Sequence, residues 1–103
     1  MNNELSAIDF VQTAFPPTEG ERLADALLKD DLLTDGLVIS LDGCSPALLI
    51  SAFFNGFLQR VYEQDRAKFE SAKRIEWKAE FDFQNANIRK WVNKFEPREL
   101  SES

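Results

Sequence analysis

Leu37-Val38-Ile39-Ser40-Leu41-Asp42-Gly43-Cys44-Ser45-Pro46 is the stretch that decides how this chain folds. Its first five residues are a near-continuous apolar run, with the turn formers Asp35-Gly36 before it and Asp42-Gly43 after it. Such a run predicts a central strand covered on both faces. In the cluster that follows, Ser45 is placed to cap a helix and Pro46 to fill its first position, so a second helix is expected there or a few residues later. From Leu48 to Tyr62, Leu49, Phe53, Phe57 and Val61 recur every four residues, with Ile50, Phe54, Leu58 and Tyr62 one place further on. That spacing gives a helix with a wide apolar surface. Ser51, Ala52, Asn55 and Gly56 are small enough to let its backbone approach a neighbour closely, although a glycine inside a helix costs about 1 kcal/mol.

Towards the N-terminus, Ile8, Phe10, Val11 and Phe15 precede Pro16-Pro17. A proline pair cannot continue a strand's hydrogen-bond ladder, so a short first strand is expected over residues 6–12. Thr18 with Glu21 three residues later has the pattern of a capping box. It would open a helix whose apolar face is Leu23, Ala24, Leu27 and Leu28. Towards the C-terminus, a charged stretch over residues 64–74 gives way to period two, in which Ile75, Trp77, Ala79, Phe81 and Phe83 alternate with charged residues. This predicts a strand whose aromatic side is core and not a platform for stacking nucleic acid bases. Asn85 or Asn87 can cap a last helix with Ile88, Trp91, Val92 and Phe95 on one stripe, ended by Glu96-Pro97. The order strand, helix, strand, helix, strand, helix predicts an α/β fold, with helices packed on a mostly parallel sheet of three or four strands. A single domain over residues 1–103 is expected, ordered over 6–97 with a flexible tail at 98–103.

Composition narrows the function. A chain of 103 residues is enough for one core. Twelve Lys and Arg against 18 Asp and Glu give a net charge of -6, which would repel nucleic acid phosphates. The absence of histidine removes the commonest general base and metal ligand. A lone Cys44 cannot form an internal disulfide and fits a reducing compartment, the cytoplasm. No apolar run reaches about 18 residues, so no membrane segment is expected. The four glycines are isolated and form no phosphate loop, and Asp30, Asp31 and Asp35 lack the spacing of a calcium loop. Neither cofactor nor metal is implied.

Asp42, Cys44 and Ser45 fall together where the central strand ends, the usual place for a site in a small α/β domain. A small enzyme using Asp42 with Ser45 or Cys44 is one reading, but the only bases available to activate such a nucleophile are carboxylates or a lysine. Asp42 as a turn brace and Cys44 as a small apolar filler is the plainer one. The excess apolar surface of the second helix is either sandwiched within the fold or meets a partner. An acidic inhibitor or antitoxin that masks a basic protein is a further reading, and pairing of two copies about a two-fold axis is open as well.

The run Leu37-Val38-Ile39-Ser40-Leu41-Asp42-Gly43, followed by Ser51-Ala52-Phe53-Phe54-Asn55-Gly56-Phe57, resembles the core motif of the STAS-like family. That motif is a hydrophobic strand ending in Asp, a loop, then Ser and Phe opening a helix. STAS domains proper, as anti-sigma factor antagonists, bind a kinase of the histidine-kinase ATPase fold and are switched by phosphorylation of a serine at the start of that helix. The resemblance implies a non-enzymatic association module with an ATPase- or kinase-like partner. It places the switch serine at Ser51, with Ser45 the second choice, Asp42 at the strand end and Phe53 packing inward. The expected contact surface comprises Asp42, Gly43, Ser45, Ser51, Phe54, Asn55 and Leu58.

Overall fold

The computed structural model describes residues 4–12 and 15–98. Strands β1 (Glu4–Ser6), β2 (Val38–Ser40) and β3 (Glu76–Lys78) form one parallel sheet in the order β1-β2-β3. Helices α1 (Pro16–Lys29), α2 (Ser51–Gln64), α3 (Phe69–Lys73) and α4 (Asp82–Lys94) connect and follow them. The α/β architecture with helices packed on a small parallel sheet is therefore the one the hydrophobic periods imply.

The register sets Leu5, Ile39 and Trp77 abreast. Ile39 and Trp77 are buried on the helix side, with Leu37 and Leu41. Val38 and Ser40 point the other way and are only half-buried, flanked by exposed Glu4, Ser6, Glu76 and Lys78. The central strand is thus covered on one face, not two. Both crossovers step in the same direction across the sheet, and crossovers of one hand then leave α1 and α2 on the same side.

α2 is the centre of the core. Phe53, Phe54, Phe57, Leu58 and Val61 are all buried in it. The Phe54 ring meets those of Phe53 and Trp77 edge-on, both at 5.0 Å, and Trp91 at 5.9 Å. Gly20 of α1 and Gly56 of α2 permit the crossing of the two helices. A Cβ on Gly56 would lie 2.6 Å from the Pro17 carbonyl oxygen, and one on Gly20 would strike the Phe53 carbonyl oxygen and approach the Phe57 nitrogen to 2.8 Å. Of the small residues of α2, Gly56 thus serves a neighbouring helix. Arg60 of α2 adds a two-pronged ion pair to Asp25 of α1, at 2.8 and 3.1 Å.

Four local expectations are corrected. β1 ends at Ser6 instead of starting there, and Ala7–Asp9 form a 3-10 turn closed by the Phe10 N–H on the Ala7 carbonyl at 2.8 Å. Its partner β2 turns away at Asp42-Gly43, so no ladder remains for residues 8–12. α1 starts at Pro16, not at a Thr18 cap, because a proline pair fits a helix's first turn, where N–H groups have no partner to lose. α2 starts at Ser51 and is not capped by Ser45. β3 stops at Lys78, short of Phe83. Beyond it, the Asn85 side chain accepts from the Ala79 N–H at 2.7 Å and Gln84 from the Phe81 N–H at 3.2 Å. Those side chains take the donors a longer strand would have used, and α4 begins.

Of the expected C-terminal tail, Arg98 is held. Its N–H donates to Gln59 Oε1 at 2.9 Å and its carbonyl accepts from Gln59 Nε2 at 3.0 Å. Residues 99–103 lie outside the described residues.

Candidate functional site

Parallel strands with returning helices bring every strand's carboxyl end and every following helix's start to one end of the molecule. Asp42 and Gly43 stand there at the end of β2, both exposed. The Asp42 N–H donates to Ser40 Oγ at 3.3 Å. Gly43 has φ +86°, a turn conformation that favours glycine, and an added Cβ would reach 2.9 Å from Ile8 Cδ1 after β1. Leu41 N–H donates to the Lys78 carbonyl at 2.8 Å, tying the end of β2 to that of β3.

The loop from Gly43 to Ile50 is anchored, since Leu48 and Leu49 are buried and two turns are closed on the Ser45 and Pro46 carbonyls at 2.9 and 3.2 Å. Ser45 is half-buried, and its Oγ accepts from the Ala47 N–H at 3.2 Å. Burial, aided by the Asp42 charge, pushes the Cys44 thiol above its ordinary pKa. A thiol held protonated is a poor nucleophile. The residues the loop presents to solvent include Asp42, Gly43, Pro46 and Ala47.

Ser51 is the first residue of α2, follows Ile50 at the N-cap, and is half-buried. No side chain caps this helix start. Ser51, Asn55 and Gln59 follow at intervals of four and line one side of a groove of about 590 Å³. Pro17 and Glu21 of α1 form one wall, and Trp91 and Lys94 of α4 with the Phe95–Arg98 segment form the other.

The residues singled out in the sequence therefore separate into three places. Asp42, Gly43 and Ser45 lie at the strand ends, Ser51 and Asn55 line the groove, and Phe54 and Leu58 are in the core. At 0% and 1% exposure, Phe54 and Leu58 have no surface to offer a partner. The apolar excess of α2 is sandwiched.

Sequence reasoning missed the groove's α4 wall and an aromatic pair at the start of α4. Phe81 and Phe83 are 50% and 65% exposed and stacked on each other at 5.9 Å, 15° from parallel. The available signal was Gln84, three residues after Phe81 and preceded by Asp82, a pattern of helix starts. Among the described residues, no group of acidic, cysteine or histidine side chains is placed to hold a metal ion, and no helix is long and apolar enough to cross a membrane.

Compared with known proteins, the chain matches no protein family, no curated protein and no solved structure.

Proposed function

We propose that this chain is a non-enzymatic protein-association module of STAS-like type, binding an ATPase- or kinase-like partner and switched by phosphorylation at Ser51. The contact surface is the loop from Asp42 to Ser51 together with the exposed stripe of α2 that continues through Asn55. The observation that carries the reading is the position of Ser51. It opens an uncapped helix directly after the loop that leaves the central strand, partly open to solvent. A phosphate there adds about -1.5 to -2 charges where the helix dipole and the first-turn N–H groups favour an anion. Glu21 on the facing wall of the groove would repel it, so the modification changes both the shape and the charge offered to a partner. The free thiol of Cys44 supports the cytoplasm as the working compartment.

Affinity purification from native extract tests this, with bound proteins identified by mass spectrometry and the intact mass of the bait recorded. An ATPase- or kinase-like protein that co-purifies with the wild type, and is lost with Ser51→Asp at an unchanged melting temperature, is the expected outcome. A bait that returns alone and without added phosphate overturns the reading. Collapse of the fold in both Ser51→Asp and Ser51→Ala would reduce Ser51 to a structural residue.

A further inference from the structure

Ile8, Phe15, Ile50, Phe81 and Phe83 are the large hydrophobic side chains that the fold leaves exposed among the described residues. All five share one feature of topology. Ile8 follows β1, Phe15 and Ile50 are the N-caps of α1 and α2, Phe81 is the N-cap of α4 and Phe83 lies in its first turn. Each therefore sits at the end of the molecule where the parallel strands finish and the helices begin. Neighbouring strands lie about 4.8 Å apart, so the ends of β1 and β3 are separated by only about 10 Å.

The charge at this end is mainly acidic, and the two cations that border it among the described residues are Lys78, the last residue of β3, and Arg22, which pairs with buried Glu19 at 3.1 Å. Asp9, Asp42, Glu80 and Asp82 are exposed there. No Lys or Arg occurs in residues 8–12, 15–18, 42–51 or 79–85. Lys78 is on the open face of the sheet, beside Ser40 in the register. At the opposite end, carboxylates have cationic partners. Asp31 pairs with Lys68 at 3.4 Å, and Asp35 with Arg74 at 3.2 Å and with the Ser71 hydroxyl at 2.8 Å. Glu80-Phe81-Asp82-Phe83 concentrates the contrast, four consecutive exposed residues in which carboxylates alternate with a stacked pair of rings.

We infer that this acidic, aromatic rim receives an apolar segment of a partner protein bearing arginine or lysine. The inference rests on reading the chain as a protein-association module, and specifies the chemistry of the partner. A guanidinium or ammonium over the Phe81–Phe83 faces gains from the ring quadrupoles as well as from Glu80 and Asp82. Leucine-like side chains between the cations cover Ile8 and Ile50, and the carboxylates steer the encounter. A nucleic acid strand stacking on the rings would bring its phosphates against four carboxylates. A second copy of this chain would oppose the same four to their equivalents, so the rim does not suit self-pairing.

The probe is a synthetic 12-residue peptide of alternating arginine and leucine, compared with versions carrying glutamate for arginine or serine for leucine. Binding is followed by titration calorimetry and by backbone amide shifts of the full chain. Expected are shifts confined to residues 8–12, 42–51 and 79–85, an affinity that falls at least tenfold between 50 and 300 mM salt, and little binding of either control peptide. Phe81→Ser with Phe83→Ser, and separately Glu80→Gln with Asp82→Asn, should each weaken binding at least tenfold without moving the melting temperature. The charge-matched pair Asp30→Asn with Glu70→Gln, away from the rim, should not. Shifts spread over the surface, equal losses with the distant pair, or no binding overturn the inference. So does a rim protected by self-association.

The two readings fail separately. If the native partner is still captured by the Phe81→Ser, Phe83→Ser protein, the rim is not its seat but the association reading stands. If the wild type binds the peptide at the rim yet captures no ATPase- or kinase-like protein, the chemistry of the rim stands and the proposed partner class falls.

Discussion

Gly20→Ala is the most severe test of the packing that carries the groove and the rim. In an exposed helix interior this change stabilises by about 1 kcal/mol, because alanine is the better helix former. Here the added Cβ would meet the Phe53 carbonyl oxygen and stand 2.8 Å from the Phe57 nitrogen, where ordinary contact begins at 3.4 Å. Both obstacles are backbone atoms of α2, which cannot rotate aside. α1 and α2 must then separate by more than half an ångström, and a gap of that size forfeits a quarter or more of the dispersion energy of the contacts facing it. Leu23, Ala24 and Leu27 of α1 and Phe53 and Phe57 of α2 are buried in the core this crossing helps to close. Overpacking costs about 1–3 kcal/mol, and with no side chain to absorb the clash the upper end applies. After the propensity gain, a net loss of about 2 kcal/mol remains. For a chain of this size that lowers the melting temperature by roughly 8–16 °C. Thermal and urea unfolding followed by circular dichroism measure both quantities, with an unchanged urea slope showing that stability alone has moved. A Gly20→Ala protein that melts at or above the wild-type temperature would refute the close crossing of α1 and α2.

Gly36 gives the matching contrast, since its φ is +88° and nothing lies within 4 Å of an added Cβ. Gly36→Ala should cost only about 1 kcal/mol of left-handed strain, and a loss as large as that of Gly20→Ala would contradict this. Glu19 is buried, and its Oε1 accepts from the Gln12 N–H at 2.9 Å. Glu19→Ala removes that charge-assisted bond and the one from Arg22 at 3.1 Å, and should destabilise by about 1–3 kcal/mol in the same assay. The Arg60–Asp25 pair is partly exposed, so its coupling in a double-mutant cycle should not exceed about 1 kcal/mol. For Cys44, whose folded pKa is raised, the folded chain holds its proton more tightly than the unfolded one. Stability is therefore kept below the unfolded thiol's pKa and falls as pH rises above it. Iodoacetamide alkylation of the folded protein should have its midpoint above that of the urea-unfolded chain, and a lower midpoint would contradict the burial.

Where one element buries one contiguous face, the sequence was a sufficient guide. The alternation of periods gave the order of the main elements, and the four-residue spacing of α2 gave the core helix. What it left undecided was covering. Leu37–Leu41 reads as a strand buried on both sides, yet Val38 and Ser40 face outward, because which side a crossover helix takes depends on strand order, and strand order is not a local property. The same gap explains α2, whose apolar residues are as compatible with a partner as with a sandwich until α1 is placed against Gly56. α3 stayed invisible because five residues are too few for a helical period, and Phe69 is its single large apolar anchor.

The site shows a further reason. From Ile75 to Phe83 the alternation of apolar and charged residues is unbroken, so period alone extends β3 through both phenylalanines. A strand, however, needs a neighbour as well as a period. β2 leaves the sheet after Leu41, and from that point the backbone donors of residues 79 and 81 are satisfied by Asn85 and Gln84. The alternation then ceases to mean in and out. Phe81 and Phe83 emerge exposed and stacked, alternating with Glu80 and Asp82. The pattern that makes the segment look like core is the one that, once its partner strand ends, turns it into an exposed aromatic and acidic surface. Phe81 and Phe83 are left outside because β2 is short, and the parallel order of the strands puts them at the same end of the sheet as Asp42.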